Sequence, residues 1–327
     1  MSEINKEALF NEVKGSLFEF LVAREIALQN QDELGFLKSL DKNYLAVLSQ
    51  QDRMVRQFYP EMHPFLSTVA KLMAKKIGSY FSPFPHSPRV VGKLSNSSLR
   101  SELHEADLVF TVSEKNIPLS LKLNKKKAFV NTKSGGIKSF FTSYFPMISS
   151  DVQSRFNQFV DMEFSRMAHE LHVAEDIEYN GSFDLWVRKG FSELPGELNE
   201  TGRAILKEYY ARIALKMHDI LNDAFQSNSE EFKNSLLPLM GFGNKEIVQA
   251  VCYHDFNGEG EHEVAIFSVN DILPGISNTE ILPFNNISSV ELKIGEWDLQ
   301  LRVKPMNKFT TTAIKINCSV RKPSSFL

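Results

Sequence analysis

Two short apolar runs, Ala106 to Val112 and Ile117 to Leu123, flank the turn-like Ser113-Glu114-Lys115-Asn116. Side chains of an extended strand alternate between faces, so Leu108, Phe110 and Val112 share one face of the first run, and Ile117, Leu119, Leu121 and Leu123 one face of the second. Runs this short, with period two and a polar turn between them, fold as a β-hairpin with one face on a core. The other face carries Asp107, Ser120 and Lys122. Closure about a four-residue turn sets Asp107 directly across from Lys122, an acid and a base brought together by the backbone.

Helical sequence surrounds the hairpin. Residues 1–85 have few Gly or Pro and apolar side chains at three and four spacing, as in Val13, Leu17, Phe20 and Leu21, with Glu12, Lys14 and Glu19 on the other face. Gly15 on this helix is read as permitting close packing against a sheet. Further helices are predicted over Leu34 to Leu48 and Phe65 to Phe81, ending at the proline-rich Ser82 to Pro88, an extended connector with Val90 and Val91 as an earlier strand after it. Residues 86–150 hold the hairpin and a basic loop, and residues 151–240 are helical, most clearly over Val152 to Leu171 and Gly202 to Phe225. His169-Glu170-Leu171-His172 has its histidines at the wrong spacing for a helical zinc-protease motif and reads as helix surface. Residues 241–327 return to period two, over Val248 to Tyr253, Val264 to Phe267, Trp297 to Val303 and Ala313 to Val320. The expected fold class is therefore α/β (α+β): a mixed central sheet containing the hairpin, flanked by helices, plus a C-terminal β-rich unit.

A chain of 327 residues, 43% apolar, has the material for one large core or for two or three smaller ones. It contains no uninterrupted apolar run of the roughly 18 residues that cross a bilayer. Met1 to Lys6 lacks the basic-then-apolar pattern of a secretory signal, so a cytoplasmic protein without membrane partners is expected. Cys252 and Cys318, the two cysteines, each lie in an apolar strand-like run and read as buried thiols rather than a disulfide or zinc site.

A net charge of -3 does not announce a nucleic-acid binder, but the charges are unevenly spread. From Lys115 to Ser150 there are Lys122, Lys125, Lys126, Lys127, Lys133 and Lys138 and no acid, and Asn131 and Ser134 lie among them. From Leu299 to Leu327 there are Arg302, Lys304, Lys308, Lys315 and Arg321, again with no acid. In the second stretch alternation turns Arg302 and Lys304 outward on one strand and Lys315, Asn317 and Arg321 outward on another. A two-stranded ribbon of that kind fits the major groove of DNA, where Arg and Lys favour guanine and Asn adenine. The phenylalanines, including Phe140, Phe141 and Phe145 after the basic loop, are read first as core.

Phosphodiester hydrolysis with Mg²⁺ needs carboxylates to hold the ion and a lysine to orient water and offset charge on the phosphorus. Asp107 and Lys122 are of the right types. A facing Asp and Lys alone make an ordinary cross-strand ion pair, worth about 0.2–1 kcal/mol. The Ser-x-Lys spacing, a glutamate on the first helix and the acid-free Asn124 to Gly136 are what add to it. Ser120, two residues before Lys122, supplies no charge, so a second carboxylate has to come from Glu19 or from Glu105, which shares the strand face of Asp107 if the strand begins that early.

Glu105-Ala106-Asp107-Leu108-Val109-Phe110 followed by Ser120-Leu121-Lys122-Leu123-Asn124 resembles the core of the PD-(D/E)xK nuclease superfamily, in the variant where serine replaces the second acid. Within it the layout over residues 14–145 looks like a type II restriction endonuclease. The resemblance implies a Mg²⁺-dependent, site-specific deoxyribonuclease of double-stranded DNA. In it Asp107 and Glu19 or Glu105 bind metal, Lys122 positions water and Ser120 hydrogen-bonds nearby. DNA contacts are expected from Lys125, Lys126, Lys127, Asn131, Lys133, Ser134, Arg302, Lys304, Lys308, Lys315, Asn317 and Arg321. A homodimer suits a palindromic site, and the resemblance also implies a companion DNA methyltransferase. The alternatives are a non-specific or repair-type DNase, and a DNA-binding protein whose catalytic centre has decayed.

Overall fold

The computed structural model describes residues 3–91, 105–254 and 262–322, with side chains from residue 12 onward. The chain is α+β and divides into two compact units, Met1–Ala128 with Asn244–Asp271, and Phe129–Gly243 with Ile272–Leu327. Among the described residues no helix is long and apolar enough to cross a membrane.

The first unit opens with four helices, α1 (Glu3–Gln29), α2 (Glu33–Ser39), α3 (Lys42–Phe58) and α4 (Met62–Tyr80). The helix expected over Leu34 to Leu48 is two, because Asp41 interrupts it: its carboxylate accepts from the backbone N–H groups of Asn43 and Tyr44 at 2.8 and 3.1 Å, capping α3. The strands are β1 (His86–Val90), β2 (Leu108–Val112), β3 (Lys115–Lys125), β5 (Val248–His254) and β6 (Glu263–Phe267), in the order β1-β2-β3-β5-β6. All neighbours are antiparallel except β3 and β5, which are parallel. Parallel neighbours need a long crossover. Here the chain between them includes the whole of the second unit's first segment, Phe129–Gly243.

One face of this sheet, with Leu108, Phe110, Val112, Leu119 and Leu121 joined by Val248, Ala250 and Cys252, forms a single core with Leu17, Val22, Ile26, Leu66, Met73 and Ile77 of the helices. That is the buried face expected from the alternation. The opposite face is not simply exposed, since Val109, Ser120, Gln249, Val251 and Tyr253 are also buried. Gly15 does not serve close packing: a Cβ there would meet open space.

The second unit contains β4 (Val130–Gly136), a 3-10 turn at Ile137–Ser139, α5 (Phe140–Tyr144), α6 (Ser150–Ala174), α7 (Asp184–Arg188), α8 (Glu200–Ser227) and α9 (Ser229–Leu239). After β6 the chain enters α10 (Val269–Ile276) and then β7 (Thr279–Ile281), β8 (Ser289–Ile294), β9 (Trp297–Pro305) and β10 (Ile314–Arg321). These strands form an antiparallel sheet in the order β4-β10-β9-β8-β7. The strands expected as one C-terminal β unit over 241–327 thus fall into two sheets, because a period of two marks a strand without naming its partner. The basic loop expected after β3 is in part a strand, β4. Phe140, Phe141 and Phe145 are fully buried, as core. His172 is also fully buried, among Tyr179, Phe183 and Trp186, and so is not helix surface. Both cysteines are free and buried, and burial pushes each thiol up to about 12.

The hairpin register differs from the expected one. Val112 pairs with Lys115 and Leu108 with Leu119, so the turn consists of Ser113 and Glu114 alone, both at positive φ (46° and 66°). A two-residue turn with both central residues at positive φ matches the right-handed twist of the strands it joins. Lys115 and Asn116, polar enough to read as turn, belong to β3, where the Asn116 side-chain oxygen Oδ1 accepts from the Arg89 guanidinium at 2.9 Å. Because a left-handed conformation costs an L-residue roughly 1–2 kcal/mol, Glu114→Gly is expected to raise stability by about 1 kcal/mol in urea denaturation. A loss of stability would contradict the two-residue turn.

Candidate active site

Asp107 immediately precedes β2 and is fastened on both sides through its backbone. Its N–H donates to the Leu119 carbonyl at 2.8 Å, and its own carbonyl accepts from the Val91 N–H at 3.0 Å. Its carboxylate oxygen Oδ2 accepts from the Leu121 N–H at 2.6 Å and from the Ser120 hydroxyl at 3.2 Å. The side chain thus takes the place of a backbone acceptor beside β3, and a hydrogen bond to an ionised acceptor is short and strong.

This geometry corrects the expected facing of Asp107 and Lys122. With the turn two residues shorter than expected, Asp107 lies beside Ser120 and Leu121 rather than across from Lys122. Lys122, half-buried on β3, shares its strand face with Ser120. It is therefore a diagonal neighbour of Asp107, a separation of about 7–8 Å that long side chains still bridge. Buried Ser120 is the residue of that strand face whose side chain donates to the acid.

The two candidate glutamates are placed differently. Glu105 is half-buried in the turn before β2, and since β2 begins only at Leu108 it does not share a strand face with Asp107. Glu19 is half-buried on α1, near enough to Tyr44 that its charge adds to burial in raising the pKa of that phenol. Near the other end of α1 the Asn30 amide donates to the Pro85 carbonyl at 2.8 Å, just before β1. Toward its start, Lys14 has its pKa lowered by burial and then by the charge of Lys125 at the end of β3. Helix α1 therefore runs antiparallel to β1. From Asn30 back to Glu19 is about 16 Å of helix, and from Pro85 to Val91 about 20 Å of strand, so Glu19 lies at the end of the sheet where Asp107 and Lys122 are. Among the described residues, no group of three or more His, Cys, Asp or Glu side chains is gathered to hold a metal ion. The donors present suit Mg²⁺ of the kind held by one or two carboxylates with water and substrate phosphate, not an all-protein cage.

Lys126 and Lys127 form a tight turn directly after Lys125, the last residue of β3, with Lys127 at φ 63°, the Ala128 N–H donating to the Lys125 carbonyl, and the Asn124 amide closing on the Ala128 carbonyl at 2.9 Å. In the second unit Asn131, Lys133 and Ser134 lie on β4, whose backbone is paired with β10 instead of being offered as a loop of free amides. Lys133 pairs with Cys318, whose side chain is buried, whereas Asn131 and Ser134 are exposed. Lys308 is engaged by Glu193, and it holds that carboxyl below its usual range. Arg321 is paired with Asp298 at 2.8 Å and lies over the Phe129 ring. Those two cations are thus committed within the protein, while Arg302, Lys304, Lys315 and Asn317 stand on the outward positions of β9 and β10.

Compared with family models, curated proteins and solved structures, the chain has no match in any of the three.

The Asp107 anchor can be tested on stability alone. Asp107→Ala leaves the Leu121 N–H without its acceptor and is expected to cost about 1–3 kcal/mol in urea denaturation. Asp107→Asn, whose side-chain oxygen still accepts, should cost clearly less; equal losses would contradict the anchoring role.

Proposed function

We propose that the chain is a Mg²⁺-dependent endonuclease of double-stranded DNA, sequence-specific in the manner of a type II restriction enzyme. The observation that carries the reading is the carboxylate of Asp107, oriented by the Leu121 N–H and the Ser120 hydroxyl, with Lys122 its diagonal neighbour. Asp107, with Glu19 or Glu105, would hold Mg²⁺. The ion, when bound, would lower the pKa of water and draw charge off the phosphate. Lys122 then holds the attacking water and offsets the negative charge that builds on phosphorus. Ser120 and the Leu121 N–H keep one oxygen of Asp107 fixed, so that the carboxylate need not reorient as the reaction proceeds. Cutting both strands of a symmetric site suits a homodimer, and a companion methyltransferase would protect the host's copies of that site.

A second reading, a DNA-binding protein with a decayed centre, is favoured by one observation: the described residues gather no three-ligand acidic cluster, and a neutral hydroxyl stands beside Asp107. Supercoiled plasmid incubated with Mg²⁺ separates the readings. Discrete linear fragments are expected, a smear would indicate a non-specific DNase, and no cutting with retained binding would indicate the decayed form. Asp107→Ala and Lys122→Ala are each expected to lower the cleavage rate by at least about a hundredfold, and full cleavage by either would sink the site assignment.

A further inference from the structure

The two basic stretches of the chain, far apart in sequence, meet on one sheet. β4 pairs with β10 and β10 with β9, and the register sets their outward residues in rows. Gly136, Lys315 and Lys304 form the first row, Ser134, Asn317 and Arg302 the second. Asn131, Ser319 and Gln300 follow, with Glu291 of β8 beyond them. Acids enter from that row onward: Glu291 takes the Gln300 amide at 3.0 Å, and in the row after it Asp298 takes Arg321. The first two rows hold three cations and no acid.

Those three cations are uncompensated. Among the described residues Arg302, Lys304 and Lys315 form no ion pair, in contrast to Lys308 and Arg321 in the same unit. Lys304 has its pKa lowered, by burial first and then by the charges of Lys315 and Arg302. Cations that repel one another without a protein partner raise the free energy of the free protein, and a polyanion that neutralises them relieves that repulsion. Beside Lys315, a Cβ at Gly136 would meet open space, so a phosphate can approach the backbone there. In the next row the Ser134 hydroxyl donates to the Asn317 side-chain oxygen at 3.0 Å, which orients the amide with its NH₂ turned to other partners.

We propose that this face of the second sheet is where the protein docks on double-stranded DNA. Lys304 and Lys315 contact phosphates, and Arg302 with the Ser134-oriented Asn317 reads base edges. The assignment leaves out Lys133, Lys308 and Arg321. It rests on the reading of the chain as an enzyme of DNA, and it names the specificity-determining residues within that reading. Duplex DNA is the favoured occupant because the acid-free rows are complementary in charge to a phosphate backbone and because an Arg and an Asn side by side are the residue types that discriminate guanine and adenine.

The test uses the full chain without divalent metal and a fluorescent duplex titrated at several salt concentrations. A Lys304→Gln, Lys315→Gln double variant is expected to bind about tenfold or more weakly, with a salt slope reduced by about two. The double Lys→Arg variant should bind like wild type, and Lys308→Gln should leave affinity unchanged. Arg302→Ala and Asn317→Ala should narrow the difference in affinity between duplexes of different sequence. Unchanged affinity and slope in the Lys→Gln variant, with a melting temperature like that of wild type, would overturn the assignment, as would tighter binding of single-stranded RNA than of duplex. If the Lys→Gln variant loses binding but wild type does not cut plasmid with Mg²⁺, the nuclease reading fails and the docking face stands. If both bind and cut alike, the docking face fails and the nuclease reading stands.

Discussion

The hydrogen bond from the Leu121 N–H to the Asp107 carboxylate, 2.6 Å long, decides what the first sheet presents. With the backbone bonds of Asp107 to Leu119 and Val91 it joins the end of β1, the start of β2 and the middle of β3 around one side chain. A charge held this way is oriented before any ligand arrives, which is where preorganised sites gain over flexible ones. It also sets the distance to Lys122. With Asp107 beside Ser120 and Leu121, the lysine lies one diagonal step away instead of directly across.

Ser120 takes on a different meaning in this light. As a sequence position it is a missing acid. In the structure its hydroxyl donates to Asp107 from a nearly buried site, so it orients the one carboxylate instead of adding another. In the proposed metal site the charge balance would then depend on a glutamate. Glu19 lies on a helix that packs along β1, whereas Glu105 stands in a turn outside the strand.

Much of this was legible in the sequence, and the parts that were not share a cause. The buried face of the hairpin, the buried stripe of the first helix and the strands β5, β6, β9 and β10 follow from apolar period, which burial imposes directly, whereas β7 and β8 were not expected. The register was not legible, because Lys115 and Asn116 have turn-like composition and only the positive φ of Ser113 and Glu114 shows where the chain reverses. β4 was hidden for a related reason: Asn131 to Gly136 is a polar edge strand with no apolar alternation, recognisable only by its pairing with β10. The helix break at Asp41 carried a signal, a capping residue inside an apolar run, and it was outweighed by the periodicity on either side. Among the basic residues, charge alone made no distinction between Lys308, which Glu193 holds, and Lys304, whose pKa is lowered by burial and then by the charges of Lys315 and Arg302.

If Asp107 is the anchor of a metal-dependent site, a metal should report it without any DNA present. Mn²⁺ titrated into the full chain and followed through backbone amide NMR gives the most direct reading, since the paramagnetic ion broadens nearby signals. The Ser120 and Leu121 amides should broaden first, and Asp107→Asn should remove that effect at the same Mn²⁺ concentration. Broadening centred elsewhere, or unchanged in Asp107→Asn, would contradict the central role assigned to this carboxylate.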